Sequence, residues 1–172
     1  MSTIPRVPAT SLREAFALQP DLLDAFWDLY GTMWMDGVVD HPTKEIVRLR
    51  NARVTDCGYC KKVRFSVARD EGVDEGRAAL VEDGYEEAGL PARQVAALRF
   101  TDRFLHDPSP LPAELTAELT SEFGEDGLVE LGLGLAMFVG FAKMLISLGL
   151  EPPDMPVTVV ATPGSRERLA TG

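Results

Sequence analysis

Thiols and imidazoles are scarce in this chain: two cysteines and two histidines in 172 residues. A closed structural zinc centre needs four such ligands. His41 and His106 lie at no finger-like spacing from Cys57 and Cys60, so no metal or other cofactor is expected. Cations are also in short supply, 17 against 27 acidic residues, for a formal net charge of −10. That balance argues against nucleic acid or an anionic membrane as the main partner, because both reward Lys/Arg patches. The amino terminus lacks the basic start and apolar run of a signal peptide. The longest apolar stretch, Leu131 to Ala142, is shorter than the ~20 residues of a spanning helix. These absences predict a cytoplasmic chain, where a Cys-x-x-Cys pair is more often redox-active or metal-bound than a permanent staple.

What is present suits one compact domain, with 45% hydrophobic and 26% charged residues. Residues 1–19 read as an arm with one helical turn near Ser11–Phe16. From Pro20, apolar residues recur at three- and four-residue spacing through Trp34, one face of a helix that Gly37 ends. Asp40 or His41 caps the next helix, with Pro42 in its first turn. That helix carries Glu45 inside it and Arg48, Arg50 and Arg53 partly outward. Asp56 then caps a helix expected to run from Cys57 to about Asp70.

Asp74 caps a short helix over 75–81, and Pro91 opens another that Pro108 and Pro110 break. Pro112 opens a helix over 113–123 that Gly124 closes. The last, about 125–148, is apolar nearly all round and contains Gly132, Gly134 and Gly140, which predicts close helix–helix approach. The tail 151–172 is proline-rich, with one β-prone run at Val157–Val160, and is expected to be extended and frayed at its end. The expected architecture is all-α: an arm at 1–19, a bundle of six to eight helices at 20–150, and an extended tail.

Both cysteines fall in one turn. On a helix Cys57, Cys60 and Arg64 share a face, and Cys57 lies at the amino end, where backbone N–H groups favour a thiolate. Lys61, Lys62 and Arg64 push the same way. Tyr59 adds a nearby phenol, with packing as its simpler role. Three readings stand at this point: a redox pair, half of a metal site, and two inert buried cysteines. The composition favours the first.

The run from Glu45 through Leu49, then Cys57-Gly58-Tyr59-Cys60, Ala68 and Gly72-Val73 resembles the AhpD-like alkylhydroperoxidase branch of the carboxymuconolactone decarboxylase superfamily. Glu45 precedes Cys57 by 12 residues, which matches that family's spacing. The resemblance spans roughly 20–150, with its specific part at 45–73. It implies a helical fold that assembles as dimers, trimers or hexamers and a peroxidase or disulfide-reductase activity. It also implies that Cys60 attacks a peroxide, Cys57 resolves the product to a disulfide, Glu45 relays a proton, and a dithiol reduces the pair.

One position departs from the family pattern. Arg64 stands where the family has a histidine, and arginine cannot shuttle a proton. It can stabilise a thiolate or pair with Glu45 as a fixed charge. His41, one turn from Glu45, is a supporting candidate. The rival expectation is a non-catalytic or redox-sensing protein on the same fold. A carboxymuconolactone decarboxylase-like enzyme is the further alternative.

Overall fold

The computed structural model describes residues 4–9, 11–107 and 109–165. Eight helices and two short strands are found among them: α1 (Leu12–Phe16), α2 (Pro20–Met35), α3 (His41–Val54), α4 (Gly58–Lys62), β1 (Val63–Phe65), α5 (Ser66–Asp70), α6 (Glu75–Ala79), α7 (Ala92–His106), α8 (Ala113–Leu148) and β2 (Thr158–Val160). The architecture is all-α, as expected. Helix starts follow local chemistry. Ser11, Asp40 and Asp74 each accept a backbone N–H from the first turn of α1, α3 and α6, and Pro91 and Pro112 stand just before α7 and α8. The expected breaker Pro108 and residues 166–172 of the tail lie outside the described residues.

α3 is the central element, packed against both α7 and α8. Its Ile46, Val47, Leu49 and Ala52 are all buried. The main core joins Trp34 and Met33 of α2 to Val47, Phe100 of α7, and Leu131, Leu135 and Phe138 of α8. A cluster of aromatic rings, Tyr30, Trp34, Phe65 and Phe138, fills its middle with edge-on and tilted contacts.

Two expectations change. Gly124 has φ 72 and ψ 174, so it breaks the backbone as expected, yet the two helical pieces adjoin directly and form the kinked rod α8. The whole rod is long and apolar enough to cross a membrane by length and composition, which the run Leu131–Ala142 alone is not. Its buried stripe of Leu131, Leu135, Phe138, Ala142 and Leu145 makes it a core helix. A Cβ on Gly134 would touch Met33 of α2, whereas one on Gly140 would meet nothing within 4 Å, so the close approach is confined to part of the helix.

The second change is at the cysteines. The single helix expected over Cys57–Asp70 is broken into α4, β1 and α5. The cause lies far along the chain. Val63, Arg64 and Phe65 pair in parallel with Thr158, Val159 and Val160, so the β-prone run of the tail finds its partner here. Hydrogen bonds from the Val67 N–H to Thr162 Oγ1 and from the Thr162 N–H to Ser66 Oγ extend the seam. Gly164 rests against Gly31 of α2, where a Cβ would come within 2.8 Å of the Gly31 carbonyl oxygen. The tail is therefore built into the domain.

Candidate active site

Cys57 and Cys60 form a disulfide across the one turn of α4, with Cα atoms 5.3 Å apart. Cys57 is the N-cap of α4, and its Sγ accepts the Cys60 N–H at 3.2 Å. Cys57 is 0% exposed and Cys60 8%. Cys60 lines a cavity of about 490 Å³, whereas Cys57 does not. The two sulfurs thus differ in access, which a shared helical face alone does not predict.

The cavity lies between α1, α2, α3, the cysteine turn, α8 and the tail. Its walls are mostly apolar and aromatic: Phe16, Trp27 and Tyr30 on one side, Phe138 and Phe141 on another, and Val160 and Pro163 from the tail. Tyr59 also lines it. Burial pushes the Tyr59 and Tyr30 phenols above the ordinary tyrosine range, although the Arg48 charge pulls each back. Both are neutral hydrogen-bonding groups near neutral pH.

Beneath Cys60 lies a buried ion pair between Glu45 and Arg48. Arg48 was expected partly outward; it is 5% exposed, and Glu45 is 1% exposed. The two form a bidentate bridge, Nε to Oε2 at 2.8 Å and Nη2 to Oε1 at 2.7 Å. Arg48 also donates to the Cys60 carbonyl at 2.9 Å and the Val63 carbonyl at 2.6 Å. Glu45 Oε1 accepts the Phe65 N–H at 3.3 Å, and the guanidinium lies 5.0 Å from the Phe65 ring centroid. Burial opposes the Arg48 charge, but the charge and hydrogen bonds of Glu45, with help from Tyr30 and Tyr59, hold its pKa above the ordinary arginine value. The pair fixes the backbone of the cysteine turn and puts a permanent cation on the cavity wall. The i, i+3 spacing of Glu45 and Arg48 was the available signal.

Arg64 is also elsewhere than expected. Its guanidinium pairs with Glu75 at 2.9 and 3.0 Å and with the carbonyls of Lys61 and Val63. It neither meets Glu45 nor lines the cavity, because a residue in β1 does not continue the helical face of Cys57 and Cys60. Lys61 pairs with Asp56, and the Gly58 N–H at the start of α4 donates to the Glu151 carboxylate. The local positive field read from the sequence is thus largely neutralised. His41 begins α3, Asp40 being its cap; its Nδ1 is 3.0 Å from Glu71 Oε1, and it is not among the residues lining the cavity. No cluster of three or more metal-binding side chains occurs among the described residues.

Comparison with known proteins agrees with this geometry. Residues 20–103 match the sequence profile of the Carboxymuconolactone decarboxylase family. Uncharacterized proteins from two strains of Mycobacterium tuberculosis are 34% identical over 115 residues, 67% of this chain and 40% of theirs. The chain thus aligns with less than half the length of the curated relatives it matches. Among solved structures, an Agrobacterium tumefaciens protein of unknown function, a candidate antioxidant defence protein AhpD, superposes with a TM-score of 0.71. It is 15% identical, over 88% of this chain and 100% of that one. An uncharacterized peroxidase-related protein from Ralstonia eutropha, described as an alkylhydroperoxidase AhpD core, superposes with a TM-score of 0.69 at 22% identity. A peroxidase-related protein from Silicibacter does so with 0.71 at 17%. Each of these two matches covers 82% of this chain and 75% of the other. The profile match, over just under half of the chain, is to the carboxymuconolactone decarboxylase family, and the chain shares its all-α fold with the AhpD-like structures.

Proposed function

We propose that the chain is an AhpD-like thiol oxidoreductase that reduces a small-molecule peroxide through Cys60 and Cys57. The observation that carries this reading is the unequal access of the two sulfurs: one on the wall of a roomy cavity, the other sealed behind it. The Cys60 thiolate attacks the terminal peroxide oxygen, the O–O bond breaks as an S–O bond forms, and the alkoxide leaves. The proton lost by the Cys60 thiol passes through Glu45 and ends on that alkoxide, giving an alcohol. The Cys57 thiol then attacks the sulfenic sulfur, forming the disulfide and releasing water. A dithiol returns two electrons and two protons and becomes a disulfide itself.

Arg48, Tyr59 and Tyr30 supply charge and hydrogen bonds around Cys60, while Arg64 and His41 support the fold around it. The exposed Leu22, Val129 and Leu133 favour a homo-oligomer, and a reducible cysteine pair suits the cytoplasm. A second reading, a redox sensor, draws on the ion pair itself, since both oxygens of the Glu45 carboxylate are already engaged by Arg48.

Steady-state peroxide consumption with a dithiol donor, beside a count of free thiols, tests both. The enzyme reading expects turnover, the loss of two thiols per chain on peroxide addition, and no turnover in Cys60→Ser. Stoichiometric oxidation without turnover selects the sensor. Thiols that remain titratable after peroxide under native conditions remove both.

A further inference from the structure

The cavity is far larger than the reacting group requires. At roughly 30 Å³ of liquid per water, its 490 Å³ would hold many groups the size of hydrogen peroxide, and its aromatic walls offer such a polar molecule little. The space and lining fit an apolar body.

Two polar features depart from that lining. Asn51, 1% exposed, is part of the wall, and its Oδ1 has no hydrogen-bond partner among the described residues. A buried acceptor left unpaired costs stability unless a ligand or water satisfies it. It is one helical turn from Arg48, lines the same cavity as Cys60, and suits an O–H donor. The second feature is Arg13 of α1, exposed and also lining the cavity. Its side chain makes no ion pair among the described residues, although many other cations of the chain are engaged, including Lys44, Arg48, Arg50, Arg53, Lys61 and Arg64. In a chain of net charge −10, the charged residues lining this cavity among the described residues are Arg13 and Arg48, with no carboxylate among them. Glu45 neutralises Arg48, so the uncompensated charge is that of Arg13, at the solvent-exposed edge.

We propose that the cavity binds a carboxylate-bearing organic hydroperoxide of fatty-acid type. The acid group sits on Arg13, the apolar body lies among the aromatic rings, and the O–O–H group donates to Asn51 Oδ1 beside Cys60. The hydroperoxide part of this proposal rests on the peroxidase reading. The acid-recognising cavity does not.

Quenching of tryptophan fluorescence reports occupancy directly, since Trp27 is in the wall. Dodecanoate and its methyl ester are the probes, with wild type, Arg13→Lys and Arg13→Glu as proteins. Wild type and Arg13→Lys should bind the acid about three- to fivefold more tightly than the ester, the range of one exposed ion pair. Arg13→Glu should invert the order. Equal binding of acid and ester by wild type, or a preference that survives Arg13→Glu, overturns the proposal.

Turnover of linoleic acid hydroperoxide against its methyl ester adds the chemical arm, with the same preference expected in kcat/KM. Acid-selective binding without turnover of any hydroperoxide retains the acid-recognising cavity and overturns the peroxidase reading.

Discussion

Two arginines on α3, only two residues apart, are held in closely parallel ways. Arg48 forms a bidentate bridge to Glu45, grips the carbonyls of Cys60 and Val63, and lies over the Phe65 ring. Arg50 forms a bidentate bridge to Asp102, grips the carbonyl of Val81, and lies over the Tyr85 ring at 5.1 Å. The surroundings separate them. Asp102 is 26% exposed, and Arg50 has a second carboxylate, Asp83, which is almost wholly in solvent. Glu45 is 1% exposed, and Arg48 has no second carboxylate among the described residues. Water therefore reaches the carboxylate partners of Arg50 far more readily than it reaches Glu45. One cluster ties α3 to α7 as a structural tether; the other braces the cysteine turn and borders the cavity.

Removing one member of each pair should break the symmetry most clearly. Arg48→Met leaves the Glu45 carboxylate buried without a counter-charge and should cost about 3–5 kcal/mol in a urea or thermal unfolding measurement. Asp102→Asn keeps a polar group in place and leaves Arg50 its contact with Asp83, so about 1–2 kcal/mol is expected. Equal losses would show that the surroundings do not matter.

All three tyrosines of the chain belong to or border these two clusters, and burial raises the pKa of each. Unfolding restores a value near 10, so the folded state binds more protons than the unfolded one above that pH. The stability tied to the neutral phenols is whole below about pH 10 and is lost as pH rises beyond it. Absorbance at 295 nm should therefore show little tyrosinate at pH 10, then a rise coincident with loss of helix by circular dichroism. A simple titration centred at 10 in the folded protein would contradict their burial.

The smallest effect is expected at Arg64→His. The Arg64–Glu75 bridge is half exposed on its acidic side, and such pairs contribute about 0–1 kcal/mol. The side chain faces Glu75 and does not line the cavity, so peroxide turnover should change by less than about twofold, consistent with a site it does not touch. A large gain in rate would show that a histidine here reaches Cys60 after all.

Much of this was legible beforehand, for local reasons. Ser11, Asp40, Asp74, Pro91 and Pro112 mark helix starts through groups within a turn of them, and Gly124 marks a break through its own backbone. The Cys57–Cys60 pairing was legible through spacing, whereas Glu45, expected as a proton relay for Cys60, is held by Arg48. Arg48 was misplaced because helical periodicity assigns charge to the outside, and only a partner three residues away turns it inward. The fate of Arg64 was out of reach. The strand that carries it exists because Val159 pairs with it from about 95 residues downstream, and no local preference reports a contact of that range.

That pairing also sets an order of events. The cysteine turn is made early, but Val160, Ala161 and Pro163, which complete the cavity wall, leave the ribosome about 100 residues later. At roughly 5–20 residues per second, Cys60 spends on the order of 5–20 s of synthesis in a nascent chain that has no shelter around its thiol. During that interval its reactivity is that of an ordinary open cysteine, available to any oxidant or mixed-disulfide partner. The cavity around Cys60 is complete only when β2 and the residues after it dock.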